Sequence, residues 1–225
     1  QWQAALALLV GMTALRVMPG VNTCNAAISA CGRAGQWARS LHLLSGMLRR
    51  QVSPDAVSMN AAVSACEKSG PWWLALALLC AMPAWRLAPN VVSVSAAASA
   101  CIPGGHWDSA LVLLSGLPKR AVLPNLVSFN SAVSACERGG QWRLAIAVFG
   151  DMSVCRVPPD EITHSAAVSA CAEVQHWKPA TALLSCMSER RTALDVVSTC
   201  AVVSACERAG RERVVLELLR GMSVP

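Results

Sequence analysis

Apolar and polar positions along this 225-residue chain recur with one fixed period. Six tryptophans, Trp2, Trp37, Trp72, Trp107, Trp142 and Trp177, each stand 35 residues apart. The segment Ser29-Ala30-Cys31 returns at 64, 99, 134, 169 and 204, and Met12, Met47, Met82, Met152, Met187 and Met222 keep the same step, with Leu117 in the gap. Three residue types sharing a period with no insertion identify an internal repeat. Within one period, 58–68 is alanine-rich and free of breakers, and Ser69-Gly70 marks a turn. Pro71 suits the first turn of a second helix, and Ala75, Leu78, Leu79 and Met82 follow at helical spacing. Pro89-Asn90 then interrupts the chain. The pattern predicts a helix, a tight turn, a helix and a short link in every unit.

The frame is Val21–Asp55, Ala56–Asn90, Val91–Asn125, Leu126–Asp160, Glu161–Asp195 and a partial Val196–Pro225, with 1–20 the second half of an earlier unit. A single hairpin cannot cover its own apolar faces, so neighbouring hairpins must stack. The periodic tryptophan is expected to fill the gap between consecutive hairpins. A base-stacking platform is the alternative use of such a stripe. The chain opens and closes mid-repeat with no polar capping helix, which is expected of a fragment of a longer array with exposed apolar ends.

Composition narrows the field. With 54% hydrophobic and 14% charged residues, the chain can bury a large core in one or two domains and is not disordered. A membrane span needs about 20 consecutive apolar residues; the run 72–85 is shorter and holds Pro83, and serines dilute 91–102. High apolar content without spans fits helices covered on both sides. Net charge of +6 permits an anionic partner. The eleven cysteines include no C-x-x-C pair, and six of them, from Cys31 to Cys206, keep the 35-residue step. They read as small buried residues in a reducing compartment, and no metal or cofactor is expected. No H-E-x-x-H, Gly-rich phosphate loop or G-x-S-x-G elbow is present, so an enzyme is not expected. No targeting segment is visible, and the chain starts at Gln1 rather than Met.

The stretch Val127-Ser128-Phe129-Asn130-Ser131-Ala132-Val133-Ser134-Ala135-Cys136-Glu137-Arg138-Gly139-Gly140, ending in Pro158-Pro159-Asp160, resembles the pentatricopeptide repeat (PPR). The period of 35 separates it from the 34-residue tetratricopeptide repeat. The alanine-rich first helix, the recurrent tryptophan and the scarcity of Phe and Tyr depart from the family's usual composition. The resemblance implies an all-α fold, a right-handed superhelical α-solenoid of about six stacked helix-turn-helix repeats. It also implies single-stranded RNA binding, one base per repeat, in organellar processing, editing, stability or translation. A chloroplast or mitochondrial location, and protein partners in an RNA-processing complex, follow from the same likeness.

In that family the fifth and last residues of a repeat contact the base edge, and the second lies against the base face. The fifth positions here are Asn25, Asn60, Ser95, Asn130, Ser165 and Cys200; the last are Asp55, Asn90, Asn125, Asp160 and Asp195. Helix capping alone would explain Asn or Asp at the last position. It does not explain Asn or Ser at the fifth, inside an otherwise Ala/Val helix. A carboxylate accepts the ring N–H of uracil or guanine, and an amide donates to the ring nitrogen of cytosine or adenine. The family's code then implies U for Asn25/Asp55, C over U for Asn60/Asn90, A for Ser95/Asn125, U for Asn130/Asp160 and G for Ser165/Asp195. The expected RNA is 5′-U-C/U-A-U-G-3′. The second positions are Asn22 and the branched aliphatics Val57, Val92, Val127, Ile162 and Val197, suited to sandwiching a base or to ordinary core. Arg33, Lys68, Arg138 and Arg208 recur in register at the end of the first helix, as a phosphate-binding stripe or as solvated helix ends. The competing reading is a protein-binding α-solenoid scaffold, for which an aromatic or Lys/Arg-clamped groove is the expected sign.

Overall fold

A computed structural model describes residues 2–117, 123–173, 176–189, 196–211 and 213. These residues form α-helices joined by short turns, with no strand among them. The helices are α1 (Trp2–Ala14), α2 (Val21–Arg33), α3 (Trp37–Arg49), α4 (Ala56–Ser69), α5 (Trp72–Ala81), α6 (Val91–Ala100), α7 (Trp107–Gly116), α8 (Leu126–Arg138), α9 (Trp142–Val154), α10 (Glu161–Glu173), α11 (Trp177–Glu189) and α12 (Val196–Arg208). The fold is an all-α solenoid of stacked helical hairpins. Pro71 stands just before α5 in extended backbone rather than in its first turn, and α5 gives way at Met82 to a 3₁₀ turn through Trp85, with Pro83 in its first turn.

The chain divides into two compact units, Gln1–Cys101 with Val112–Leu123, and Ile102–Leu111 with Pro124–Pro225. In the first, α2, α4 and α6 lie side by side as one layer, and α3 and α5 each pair with the first helix of their own repeat and the next. In the second, α8, α10 and α12 form the same layer, backed by α9 and α11. The first helices are covered by neighbours on both flanks and by second helices behind. That is why Ala62, Val63, Ala65 and Cys66 of α4 are all buried, and why an apolar share sufficient for a membrane protein suits a helix stack. The periodic methionines close the core: Met47, Met82 and Met152 are buried, as is Leu117 in the position of the missing one. Among the described residues no helix is long and apolar enough to cross a membrane.

The recurring cysteines are buried free thiols. Burial pushes the thiols of Cys66, Cys136 and Cys171 up to about 11, so they remain protonated and serve as small packing groups. The turn between the two helices of a hairpin needs one residue in the left-handed region, supplied by Gly35, Gly105, Gly140 and Gly210. Gly70, at the same step, is extended because a proline follows it.

The periodic tryptophans are half-buried between successive hairpins. In the first unit the Arg39 guanidinium lies 4.0 Å over the Trp2 ring. In the second, Trp142 stacks 4.2 Å from His176, and Trp107 lies against Gly139. Gly139 is therefore small for a reason: a Cβ there would run into the Trp107 ring and sit 2.9 Å from the Gly105 carbonyl oxygen. Gly139→Ala is expected to destabilise the chain by about 1–3 kcal/mol. Gly46→Ala, in open space within α3, should stabilise it by about 0.5–1 kcal/mol. Urea unfolding of the two variants, with opposite displacements of the midpoint, checks both.

Candidate nucleic-acid interface

Residues 2, 5, 9 and 13 of each repeat fall at helical spacing on one face of its first helix. In α4 these are Val57, Asn60, Ser64 and Lys68, and all four line one depression of about 340 Å³ together with Arg33 of α2. The second-position aliphatics are not core. Val57, Val92, Val127 and Ile162 expose 56%, 54%, 52% and 60% of their surface. Such uniform exposure of branched aliphatics in a well-packed helix layer leaves four apolar flats facing solvent. The side chain of Val197 and all of Asp195 lie outside the described residues.

The fifth positions range from buried to open. Asn25 and Ser95 are 7% and 5% exposed, Asn60, Asn130 and Ser165 are half-buried, and Cys200 is exposed. The described last residues of the repeats cap the helices that follow them. Asp55, Asn90 and Asn125 precede α4, α6 and α8 in extended backbone, and their side chains accept from the backbone N–H of Ser58, Ser93 and Ser128. Asp160 accepts from Thr163 N–H at 2.9 Å in the same way.

The same side chains reach back to the fifth residue. Asn25 Nδ2 donates to Asp55 Oδ1 at 3.0 Å, and Asn130 Nδ2 donates to both oxygens of Asp160 at 3.1 Å. Asn60 Nδ2 reaches Asn90 Oδ1 at only 3.4 Å. The two residues named from opposite ends of a repeat, 30 positions apart, therefore meet within one unit of the fold in these three modules. Arg33, Lys68, Arg138 and Arg208 are exposed in the last turns of α2, α4, α8 and α12. Arg33 and Lys68 share the depression that holds Asn60, and Arg208 shares one with Cys200 and Glu137.

The family model for the PPR repeat matches residues 22–52 and 127–157. The crystal structure of the pentatricopeptide repeat protein PPR10 from maize superposes with a TM-score of 0.75 at 26% identity, over 99% of this chain and 32% of that one. Two of the repeats thus match the pentatricopeptide model, and the whole chain is similar in fold to the maize pentatricopeptide protein. PPR10 in complex with an 18-nt psaJ RNA element aligns at 24% identity with a TM-score of 0.68, over 100% of this chain and 32% of that one. The PPR domain of Arabidopsis thaliana protein-only RNase P 1, in complex with tRNA, aligns at 15% identity and 0.69 over 80% of this chain and 95% of that one. The array thus spans about a third of the length of the maize protein. No curated protein matches its sequence.

The face formed by the first helices carries two features beyond those expected from the sequence. One is acidic. Glu67 lies in the depression with Arg33 and Lys68, and Glu137 lines depressions beside Ser165 and beside Arg208. Burial pushes both carboxyls up, with repulsion from Glu173 adding at Glu137, while the cations Lys68 and Arg138 oppose the shift. The other is a hydroxyl at every described third position, half-buried at Thr23 and buried at Ser58, Ser93, Ser128, Thr163 and Ser198. The hydroxyls keep the 35-residue step and were open to the same register argument as the fifth positions, whereas Glu67 and Glu137 stand two steps apart with Ile102 between them. Among the described residues no group of three acidic, His or Cys side chains could hold a metal.

The charges give the array a signed pH profile. Burial of Asp55 and Asp160 works to raise their pKa, but hydrogen bonds from Ser58 and Asn25, and from Thr163 and Asn130, outweigh it and hold both carboxyls below the ordinary value. A depressed folded pKa gives stability above the unfolded value, about 3.9, that is lost as pH falls through the folded one. Glu67 and Glu137, raised in the folded state, act oppositely: acidification from neutrality towards about 4.3 relieves their burial and stabilises. Urea midpoints should therefore rise gently from pH 7 to about 5 and fall below about 4. A Glu67→Gln/Glu137→Gln double variant should lose the rise and keep the fall.

Proposed function

We propose that this array binds single-stranded RNA with one base per repeat, chosen by the fifth and last side chains and seated against the second. What carries the reading is a repeated coincidence of four chemistries on one helix face. At Asn60 and Asn130 an amide meets a carboxylate or second amide, an exposed aliphatic flat stands one turn before, and a cation stands two turns after; the Asn25 module has the pair and Arg33 but Asn22 in place of the aliphatic. An aliphatic flat takes the base face, the polar pair takes its edge, and the cation takes phosphate. The superposable maize and Arabidopsis proteins are seen in complex with an 18-nt psaJ RNA element and with tRNA. Of the two signs of a peptide scaffold, aromatics are missing from these three depressions along the first helices, while a cationic pair, Arg33 and Lys68, is present in one of them; the amide pairs favour RNA.

In the Asn25/Asp55 and Asn130/Asp160 modules, the carboxylate has lone pairs for the ring N–H of uracil and the amide has a second proton for a carbonyl. In the Asn60/Asn90 module both groups are amides, and an amide N–H suits the ring nitrogen of cytosine. Ser95/Asn125 and Ser165/Asp195 take A and G in this scheme, giving 5′-U-C/U-A-U-G-3′. Binding acts by occupancy, shielding or remodelling RNA in a chloroplast or mitochondrion, with protein partners recruited to the complex.

Selection from a random RNA pool should return that order of bases, and Asp160→Asn should move the fourth base from U towards C. Affinity should fall with salt at a log–log slope of roughly −3, about −0.7 for each of Arg33, Lys68, Arg138 and Arg208. A pool that returns no motif, or a swap without effect, overturns the reading.

A further inference from the structure

The hydroxyls of Ser58, Ser93, Ser128 and Thr163 do two different things, and the choice follows the last residue of the preceding repeat, three positions before them. Ser58 Oγ accepts from Asp55 N–H at 3.2 Å and lies 2.5 Å from Asn25 Oδ1 and 2.8 Å from Asp55 Oδ1. A hydroxyl has one proton to give. Asp55 Oδ1 already accepts from Ser58 N–H at 2.8 Å and from Asn25 Nδ2, so the proton goes to Asn25 Oδ1, the shorter contact and the oxygen without another donor. The result is a closed circuit: backbone N–H to hydroxyl, hydroxyl to amide oxygen, amide N–H to carboxylate. The second unit repeats it atom for atom. Thr163 Oγ1 accepts from Asp160 N–H at 3.2 Å, lies 2.5 Å from Asn130 Oδ1, and Asn130 Nδ2 returns to Asp160.

Where the last residue is Asn, the hydroxyl turns away. Ser93 Oγ donates to the Asn90 carbonyl at 2.8 Å, and Ser128 Oγ donates to the Asn125 carbonyl at the same distance. Asn60 Oδ1 is then left buried and unpartnered. The physical reason lies in the acceptor. A carboxylate draws the fifth-position amide to 3.0–3.1 Å and brings its oxygen under the hydroxyl, whereas a neutral amide holds it only at 3.4 Å.

We propose that Ser58 and Thr163 are positioning residues for base choice: each locks the amide of the preceding repeat so that only N–H faces the base. The base read by one repeat then depends on the third residue of the next. An amide free to rotate offers C=O or N–H with equal ease and accepts an amino-bearing base as readily as a carbonyl-bearing one. The clamp removes the first option. The inference rests on the base reading proposed above and gives the Asp-ending repeats their preference for U over C.

The test uses the full chain and short RNAs carrying U-C-A-U-G, with the first or fourth U replaced by C. Ser58→Ala should lower the U-over-C ratio at the first base about three- to tenfold, the worth of one hydrogen bond, and leave the fourth base unchanged. Thr163→Val should do the reverse. Ser58→Thr and Thr163→Ser should restore the native ratios. Ser93→Ala loses the same capping acceptor without touching an amide, and should leave both ratios alone. Equal loss of affinity for U and C in Ser58→Ala, or an unchanged ratio, overturns the clamp. In RNA-free protein the Asn25 side-chain amide protons should exchange faster in Ser58→Ala; unchanged exchange overturns the clamp irrespective of RNA. Faster exchange in a protein that never distinguishes U from C overturns the base reading instead.

Discussion

One residue at each repeat boundary meets two demands at once. The helix that begins there leaves backbone N–H groups without partners, and a short acceptor side chain must satisfy one of them. Asp55, Asn90, Asn125 and Asp160 do so, and the rest of the described groove face is arranged around them. The cap holds the acceptor rigid, and in three modules the acceptor holds the fifth residue of its own repeat. A polar group placed by a backbone requirement is held by the cap, worth about 1 kcal/mol, as well as by its side-chain contacts.

That coupling explains why the fifth position tolerates a polar side chain among alanines and valines. A buried amide is costly unless its hydrogen bonds are met. Asn25, 7% exposed, meets them with Asp55 and Ser58. The deficit at Asn60, whose Oδ1 has no partner, marks the module whose last residue is Asn.

Much of the fold was legible because the period repeats six times without slip, and register turns a weak single-residue signal into a strong one. The helices begin at the residues where the breaks in the pattern lie, and the methionine and cysteine rows are core. The second-position aliphatics were not legible in the same way. Val57 and Val63 are indistinguishable by type, yet one is 56% exposed and the other 0%, and only their angular place around α4 separates them. Nor was the direction of the Ser58 and Ser93 hydroxyls legible. Both are serines in the same place, and the difference arises from the charge of a neighbour and a few tenths of an ångström. His164 occupies the place of Phe129 in its own repeat, fully buried, with Nδ1 2.8 Å from the Asp160 carbonyl and its ring edge-on to Phe149. Aromatic shape outweighed polarity there.

Aspartate and asparagine begin a helix about equally well. Both serve that purpose at equivalent boundaries of this molecule. An exchange between them alters the face shown to a ligand while asking almost nothing of the scaffold. On the proposed base reading, a lineage built this way would drift between targets by single-codon steps, each intermediate still folded, and the same tolerance would let an engineer rewrite one module without redesigning its neighbours.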